Sequence, residues 1–280
     1  MEDYFYVFGG STAFNGAGAS NSVYRYNRKT NVWDAPTTMP YSARELTANL
    51  LPNGFIHIAG GTDGTYRNYS YWYDPYNNTW TAKNNLPVAW VDGRVGNLPD
   101  GRTIIFGGSV NGSGTRVTTA YIYDPDADTY TLAESMPVAV GNHVVATMAD
   151  GRIISVAGVS APNTFVIKTQ IFDPTTMSWS LGADQPVTHG EYPSVAATPC
   201  GPVYLWGGDV GGDSAHLGTR AVSSYDPSTD TWSVLDDLPF FAAWGAYGRF
   251  YDGQYIHASG HDGSGSATAK TYLSATPIVE

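Results

Sequence analysis

The chain has 280 residues and a formal net charge of −11 at pH 7, with Gly 32, Tyr 20 and Trp 8. This charge excludes a nucleic-acid partner, because phosphate binding needs a basic face. No apolar stretch is long enough to cross a bilayer, so we expect no membrane insertion. The single cysteine, Cys200, excludes an intrachain disulfide. The glycine and aromatic content predicts many short strands joined by turns.

Two spacings recur along the chain. An aromatic residue is followed seven residues later by a second aromatic and after seven more by a proline; the five triplets are Tyr26–Trp33–Pro40, Tyr73–Trp80–Pro87, Tyr123–Tyr130–Pro137, Phe172–Trp179–Pro186 and Tyr225–Trp232–Pro239. A glycine then opens an apolar run that another glycine closes seven residues later; these pairs are Gly54–Gly61, Gly101–Gly108, Gly151–Gly158, Gly201–Gly208 and Gly253–Gly260. The run Tyr4–Gly10 adds a sixth copy, and a period near fifty residues predicts a repeat architecture.

Each repeat predicts four short strands. The first follows the proline, as in Glu45–Leu50, and ends at a tight turn such as Asn53-Gly54, where we expect positive φ at both positions. The second runs into a glycine pair, as in Thr103–Gly108. The third ends at the first aromatic, usually before Asp-Pro, as in Tyr123-Asp124-Pro125. The fourth starts near the second aromatic, as in Thr79–Thr81.

These glycine pairs, tyrosines and tryptophans in register resemble the kelch family. The resemblance implies an all-β fold, a six-bladed β-propeller of four-stranded antiparallel blades around a channel. It covers residues 1–280 as a single domain, with repeats at about 1–40, 41–87, 88–137, 138–186, 187–239 and 240–280. The sequence departs from the pattern at Ala157 and Ser259, which replace the first glycine of a pair, and at Tyr130, which replaces tryptophan.

The first blade lacks an N-terminal inner strand, because the first glycine run begins at residue 4. Three completions stay open: the C-terminal segment returns to this blade, the chain belongs to a longer protein, or a neighbouring subunit donates a strand. An unpaired edge would otherwise need covering. We therefore expect assembly with neighbouring subunits or domains as one alternative.

Length varies between the closing glycine and the next aromatic, in the loop that joins strands two and three. Such loops often carry binding sites, and they share a face with the inter-blade loops, which run from each proline to the next first strand. Five positions after the proline, the inter-blade loops form a column of Glu45, Asp92, Asn142, Glu191 and Trp244, with Arg44 and Arg94 near enough to pair with it. A ring of these side chains suits a cation, a basic side chain of a partner, or sugar hydroxyls. The alternative is that they cap backbone N–H groups.

Aromatic residues crowd the same loops. The candidates for ligand contact are Trp90, His189, Phe240 and Trp244. Exposed aromatics beside acids and amides suit a glycan or a peptide. The alternative is packing between blades.

The loop after the fifth glycine pair contains Asp209, Asp213 and His216, which could ligate a divalent metal such as Fe(II), Mn or Zn. It loosely resembles the iron-binding Glu-x3-Asp-x3-His loop of plant specifier proteins, which are kelch propellers. Here the first acid is aspartate and the second gap is two residues. The alternative is a solvated loop without metal, and we expect no other cofactor.

These patterns favour a non-catalytic recognition module that binds a protein segment or a glycan through the loop face. Its tyrosine- and asparagine-rich composition suggests an extracellular, cell-surface or virion setting, such as a phage particle; the chain starts with no signal peptide. The alternative is a metal-dependent or sugar-active kelch enzyme, similar to specifier proteins or to a sialic acid epimerase. A scaffold role through the incomplete first blade is a third hypothesis.

Overall fold

The computed structural model describes residues 3–11, 18–199, 201–211, 217–249, 254–258 and 271–273. Within these ranges the chain forms short antiparallel strands and no helix. None of these segments therefore has the length and apolar character that a helical membrane span requires. The chain divides into two compact units: unit 1 is Met1–Thr115 with Ala120–Ala133, and unit 2 is Arg116–Thr119 with Glu134–Glu280.

The described part of unit 1 contains thirteen strands. They are β1 (Tyr4–Phe8), β2 (Ser22–Asn27), β3 (Val32–Thr38), β4 (Arg44–Leu50), β5 (Ile56–Thr62), β6 (Ser70–Asp74), β7 (Thr79–Ala82), β8 (Trp90–Val91), β9 (Arg94–Asn97), β10 (Thr103–Phe106), β11 (Ser109–Val110), β12 (Ala120–Asp124) and β13 (Thr129–Leu132). They pair as a three-stranded sheet β1-β2-β3, two four-stranded sheets β4-β5-β6-β7 and β9-β10-β12-β13, and a small pair β8-β11. Among the described strands, β1 lies at the edge of its sheet.

Unit 2 continues the same pattern in its described residues. Its strands are β14 (Val144–Thr147), β15 (Ile153–Val156), β16 (Val159–Ala161), β17 (Thr164–Phe165), β18 (Thr169–Asp173), β19 (Ser178–Gly182), β20 (Ser194–Ala197), β21 (Val203–Trp206), β22 (Val222–Asp226), β23 (Thr231–Leu235), β24 (Ala246–Arg249), β25 (Tyr255–Ala258) and β26 (Thr271–Leu273). They form the four-stranded sheets β14-β15-β18-β19 and β20-β21-β22-β23, the three-stranded sheet β24-β25-β26 and the pair β16-β17. Each main sheet is an antiparallel meander, interrupted only by the short strands β11, β16 and β17, which pair outside the main sheets, so the predicted strand order is confirmed for the described strands.

The spacing of seven between the two aromatics has a direct cause in strand register. In β6 and β7, Tyr73 lies opposite Trp80, and their ring centroids are 4.8 Å apart. Between them, the Asp74 carboxylate accepts the backbone N–H groups of Tyr76 and Asn77 at 2.9 and 3.1 Å. The Tyr73 hydroxyl donates to the side chain of Asn78, whose φ is 57°. The turn, the left-handed residue and the cross-strand aromatic pair fix one another.

The Asx-Gly turns differ from expectation in one detail. The φ of Gly101 is 90°, but Asp100 is not among the residues with positive φ. The Asp100 carboxylate instead accepts the N–H of Arg102 at 3.1 Å, and Gly101 N–H donates to Leu98 carbonyl at 3.1 Å. The prediction of two left-handed residues is therefore wrong, because the aspartate holds the turn through its side chain.

Apolar side chains pack between successive sheets within each unit. In unit 1, Ile56, Ile58 and Tyr73 of the second sheet pack with Val23 and Met39 from the first repeat. In unit 2, strands β14, β15, β20 and β21 contribute the buried cluster, whose members include Val144, Val156, Val195, Val203 and Leu205. The second strands β5, β10, β15 and β25 are buried along their whole length, which agrees with their mostly apolar sequences.

Tyr130, which replaces tryptophan, takes part in a buried polar network of unit 1. Its hydroxyl lies 3.1 Å from Ser70 Oγ and 3.2 Å from His57 Nε2, and His57 Nε2 lies 2.8 Å from Ser70 Oγ. In unit 2 the corresponding Trp232 instead donates from Nε1 to Thr169 Oγ1 at 3.0 Å. Burial lowers the pKa of His57 to about 3. Tyr130 therefore makes a hydrogen bond to the neighbouring repeat through its hydroxyl, where Trp232 makes one through its indole N–H.

Candidate functional site

The glycine pairs contact the inter-blade loops closely. Gly207 has a φ of 66°, and a Cβ placed on it would lie 2.1 Å from the carbonyl oxygen of Ala242. Gly60 is similar: a Cβ there would lie 2.4 Å from the carbonyl oxygen of Trp90. At Gly60 and Gly207 a Cβ would therefore displace the inter-blade loop, whereas in the fourth repeat Ala157, with a φ of 60°, occupies the equivalent position.

In three repeats, a different type of side chain donates a hydrogen bond to the carbonyl oxygen of the first glycine in the pair. Tyr41 Oη donates to Gly60 at 2.9 Å, and Trp90 Nε1 donates to Gly107 at 2.7 Å. His189 Nδ1 donates to Gly207 at 3.0 Å. The chemistry differs, but each group satisfies an equivalent backbone acceptor.

The placement of Trp90 and His189 differs from the expected exposed contact surface. Trp90 is 2% exposed and His189 is 1% exposed. Because Nδ1 of His189 donates to a carbonyl, Nε2 accepts from Ser223 Oγ, which lies 3.0 Å away. Burial lowers the pKa of His189 to about 4, so the ring is neutral near pH 7. Both rings belong to the packed interior, which removes them from direct ligand contact.

The column of polar residues has an unexpected conformational basis. Glu45, Asp92, Asn142 and Trp244 all have left-handed backbones, with φ of 58°, 55°, 56° and 62°. In the fifth repeat the left-handed residue is Tyr192, with φ of 48°, and not Glu191. Aspartate and asparagine tolerate this conformation better than other non-glycine residues, which explains their presence in the column.

In the fifth repeat, the spacing from the proline to the left-handed residue is one residue longer than in the other repeats. Tyr192 follows its proline by six positions, whereas the other members of the column follow theirs by five. Sequence counting therefore missed Tyr192 and selected its neighbour. The sequence did not mark Tyr192, because Gly190 precedes Glu191 just as Gly141 precedes Asn142 in the fourth repeat.

Backbone hydrogen bonds join the left-handed residues of successive repeats within each unit. In unit 1, Asp92 N–H donates to the carbonyl of Glu45 at 3.1 Å. In unit 2, Tyr192 N–H donates to Asn142 at 2.9 Å, and Trp244 N–H donates to Tyr192 at 3.3 Å. Main-chain hydrogen bonds thus join neighbouring inter-blade loops within each unit.

In unit 1 the predicted site residues form local interactions. Arg44 Nη1 lies 3.0 Å from Glu45 Oε1, and both side chains are partly exposed. Arg94 Nη1 donates to the carbonyl of Gly93 at 3.1 Å. Asp92 is buried. The Arg44–Glu45 pair and Arg94 leave charged groups at the start of the first strands β4 and β9.

Unit 2 brings two separate sequence hypotheses into one place. Glu191, from the polar column, and Asp209, from the metal hypothesis, face each other across an antiparallel bridge. Glu191 N–H donates to Asp209 at 2.9 Å and Asp209 N–H donates to Glu191 at 2.7 Å. Residues that exchange both bonds lie about 5.5 Å apart at Cα with side chains on the same face. The two buried residues, Glu191 and Asp209, are therefore direct cross-strand neighbours.

Each carboxylate of this pair has a fixed neighbour. Asn142 Nδ2 donates to Glu191 Oε2 at 2.6 Å. Gly211 N–H donates to Asp209 Oδ1 at 2.8 Å, and Trp244 Nε1 donates to Asp209 Oδ2 at 3.0 Å. The ring of Tyr192 packs against that of Trp244 with centroids 4.9 Å apart. We call Asn142, Glu191, Tyr192, Asp209 and Trp244 the acid–aromatic cluster.

The surface next to this cluster is aromatic. Trp244 is 38% exposed and Phe241 is 47% exposed, whereas Phe240 is half-buried. The guanidinium carbon of Arg220 lies 5.9 Å from the centroid of the Phe241 ring. Among the predicted aromatic candidates, Trp244 is therefore the one that combines exposure with a contact to a buried acid.

The metal hypothesis is only partly covered by the structure. Asp209 lies in the acid–aromatic cluster, while Asp213 and His216 fall outside the described residues. Where the structure does describe the chain, no group of three or more His, Cys, Asp or Glu residues has a metal-binding arrangement. The metal site stays a prediction.

The chain matches the family model described as the Kelch motif at residues 1–40 and 98–137. No curated protein matches it. Among solved structures it is similar to one described as "Structure of YjhT", with 15% identity, a TM-score of 0.78, and coverage of 97% of this chain and 91% of that chain. Both findings agree with the meandering sheets and their glycine pairs. Two segments of the chain are thus similar to the Kelch motif, and the fold is an all-β propeller with four-stranded antiparallel blades.

Proposed function

We propose that this chain is a non-catalytic recognition module that binds a protein segment or a glycan. The binding residues lie in the strand two–three loops and the inter-blade loops, and unit 2 contributes the acid–aromatic cluster. The observation that carries the proposal is Trp244, which is exposed and yet held by a hydrogen bond from its indole to the buried Asp209 carboxylate. A rigid exposed aromatic loses little conformational entropy when it contacts a ligand.

The hydrogen bonding of the other candidates supports binding over catalysis. His189, the histidine predicted for this face, uses Nδ1 on a backbone carbonyl and Nε2 on Ser223. A general base must reach the proton that it removes. With both nitrogens engaged in the interior, His189 serves the scaffold, and the exposed groups that remain are suited to contact.

The experiment is capture on a glycan array and a peptide array. Trp244→Ala should abolish capture of the identified ligand, and Tyr76→Ala is the matched control because Tyr76 is an exposed aromatic in a strand three–four turn of unit 1. Unchanged capture by a folded Trp244→Ala protein would remove the cluster from the binding face.

We also propose that the propeller has six blades and that the first lacks its N-terminal inner strand. Support comes from β1, which begins at Tyr4 and is bonded to β2 on one side in the described sheet. This edge is a candidate docking position for a neighbouring subunit or domain. Light scattering of the purified protein tests that role: a monomer at all concentrations would exclude docking between copies of this chain.

A second candidate function is a metal-dependent or sugar-active enzyme that uses Asp209, Asp213 and His216. The observation in its favour is the placement of Glu191 and Asp209 as direct cross-strand neighbours, because paired carboxylates suit hard divalent cations. Elemental analysis after incubation with Fe(II), Mn(II) or Zn(II) is the test. A protein that retains no metal, and whose melting temperature does not respond to any of the three, would exclude this candidate.

The proposed setting is extracellular, at a cell surface or in a virion. It is supported by the tyrosine- and asparagine-rich composition with few lysines. Fractionation of the native source with an antibody against the chain would test it.

A further inference from the structure

The strand β1 presents a row of main-chain groups along its free edge. Gly9 N–H donates to the Ser22 carbonyl at 2.9 Å, and in this register the odd-numbered residues of β1 bond to β2. Bonded positions alternate in an antiparallel pair, so the N–H and C=O groups of Tyr4, Tyr6 and Phe8 point away from β2. Among the described strands, none pairs with β1 on that side.

Burial of β1 is lower than that of the equivalent strands. Each of its residues is at least partly exposed, and Tyr4 is 37% exposed. The strands β5, β10 and β15 occupy the same place in their repeats, pair on both sides and are buried along their whole length. An inner strand beside β1 would account for the difference.

The next sheet directs an apolar row toward the same place. Leu46, Ala48 and Leu50 lie on one face of β4, because side chains alternate along a strand. This face is turned toward the first repeat, since Ala48 is opposite Ile58 and Leu46 Cδ2 lies 3.0 Å from a Cβ position on Gly9. Nevertheless Ala48 is exposed and Leu50 is 49% exposed. We call the free edge of β1 and this row the first-sheet groove.

Unit 2 shows what covers such a row in a repeat with an inner strand. Val195 and Ala197 of β20 have the same register relative to their glycine pair as the exposed residues of β4, yet they are 4% and 9% exposed. They belong to a buried cluster with Val144 of β14, the inner strand of the preceding repeat, and Ala146 packs against that cluster. A single strand with small or β-branched side chains at alternate positions therefore buries the row.

We infer that the first-sheet groove binds an extended segment of a partner protein as an added antiparallel strand. Strand addition obtains affinity from main-chain hydrogen bonds and specificity from alternate side chains. The segment has small or β-branched apolar residues facing Ala48 and Leu50, and no proline among them, because each donates its N–H to β1. This inference rests on the proposed incomplete first blade and states the kind of partner that completes it.

A single segment fits this groove better than the sheet edge of a second copy. In unit 2 the equivalent space between β15 and β20 holds only the strand β14 among the described strands. An edge strand of a folded copy would bring its own sheet with it. A second copy is therefore an alternative outcome of the test.

The probe is a fluorescein-labelled peptide with the sequence of residues 142–149, which includes β14. In this segment Val144 and Ala146 are the positions that bond to a second strand, whereas Val145 N–H points away from it. We expect saturable binding in fluorescence anisotropy. N-methylation of Ala146 should weaken binding about tenfold, because one N–H bond to β1 is lost, and N-methylation of Val145 should not. Equal affinity of the two methylated peptides, or no binding at millimolar peptide, overturns the inference.

Protein variants test the apolar row. Leu50→Asp places a carboxylate in the groove and should weaken the peptide about tenfold or more. Leu132→Asp is the matched control, since Leu132 is an exposed leucine on β13 of unit 1, and it should bind as the native protein does. Because both leucines are exposed, both variants should fold. An unchanged affinity of Leu50→Asp, or an equal loss in the control, overturns the inference.

Hydrogen exchange of the full chain locates the bound peptide. The amide protons of Tyr6 and Phe8 should exchange rapidly in the free protein and slowly with the peptide, while that of Val7 should exchange slowly in both states. Protection of Tyr6 and Phe8 in the free monomer would mean that the chain covers its own edge, so the incomplete first blade and this inference both fall. Rapid exchange that the peptide does not change leaves the incomplete blade and overturns the inference alone.

Two further outcomes separate this groove from the other proposals. Protection that appears only at high protein concentration, together with a dimer in light scattering, identifies a second copy as the occupant and overturns the inference. The array experiment with Trp244→Ala concerns the loop residues of unit 2. Leu50→Asp should retain array capture while it loses the peptide, and loss of both would contradict two independent binding sites.

Discussion

The loop of unit 1 that carries Asp92 and the loop of unit 2 that carries Trp244 have the same backbone and different side chains. Each has a left-handed residue whose N–H donates to the equivalent residue of the preceding repeat. In unit 1 this residue is a buried aspartate, which suits the conformation; in unit 2 it is an exposed tryptophan, which does not. The difference separates what the scaffold requires, the backbone, from what a ligand would select, the side chain.

The largest expected effect contrasts the tryptophans of the two inter-blade loops. Trp90→Ala removes a buried ring and leaves the Gly107 carbonyl without its indole donor, so we expect a loss of about 3–5 kcal/mol in the free energy of unfolding. Trp244→Ala should cost less, about 1–3 kcal/mol, because its ring is partly exposed and the main loss is the indole donor of the buried Asp209 carboxylate. Urea unfolding of both variants is the measurement, and equal losses would contradict the assignment of separate roles.

The second-largest expected loss of stability is at a glycine that packs against an inter-blade loop. Gly207→Ala places a Cβ against the Ala242 carbonyl and should cost about 2–4 kcal/mol. Gly114→Ala is the matched control, since Gly114 has the same φ of 66° but open space around its Cβ position. In the control the free energy of unfolding should fall by only about 1–2 kcal/mol, which is the cost of placing alanine in the left-handed conformation. If the two variants were equally stable, the close contact would not be what demands glycine.

Each unit also contains a buried neutral histidine, His57 in unit 1 and His189 in unit 2. Burial lowers the pKa of these residues to about 3 and about 4, while the unfolded chain keeps the ordinary value of 6.5. As the pH falls below 6.5 the unfolded state binds protons first, so stability is full above that value and declines toward the folded pKa. Between neutral pH and about pH 5 each histidine should remove about 2 kcal/mol.

The measurement is the free energy of unfolding as a function of pH for the native protein and for His57→Gln. The variant should have a shallower decline below pH 6.5 because one titrating group is gone. A variant whose decline matches that of the native protein would mean that His57 is not the group that titrates.

The smallest effect on stability is the sharpest test of the comparison. Trp244→Asn gives unit 2 the type of residue that the left-handed position prefers. Relief of strain opposes the loss of the indole–Asp209 hydrogen bond, so the free energy of unfolding should change by no more than about 1 kcal/mol. Ligand capture should nevertheless be lost. A larger loss of stability would mean that the scaffold itself depends on Trp244.

The sequence predicted the parts of the molecule in which side-chain spacing follows directly from strand register. The pairing of Tyr73 with Trp80 is an example, because a hairpin with a fixed turn places those positions opposite each other. The replacement of tryptophan by Tyr130 was also visible, although its contact with His57 was not, since the two lie in different repeats.

The candidate site was harder to predict for two physical reasons. Counting from the proline selected Glu191, because one additional residue in the loop changes which position is left-handed without changing the strand pattern. Burial of Trp90 and His189 depends on how their loops seat on the glycine pairs, and composition gives no measure of that contact. Glu191 and Asp209 come together through a β-bridge between two loops, and the sequence spacing does not reveal that bridge.

The main-chain bonds between left-handed residues have a consequence for how such a protein can change. Because N–H and C=O groups make the connection, the side chain at each of these positions can be exchanged without altering the bond that holds neighbouring loops. One substitution per repeat would then modify the contact surface independently of the others. A library that varies only the partly exposed members Glu45, Tyr192 and Trp244 should yield mostly folded proteins with different binding preferences.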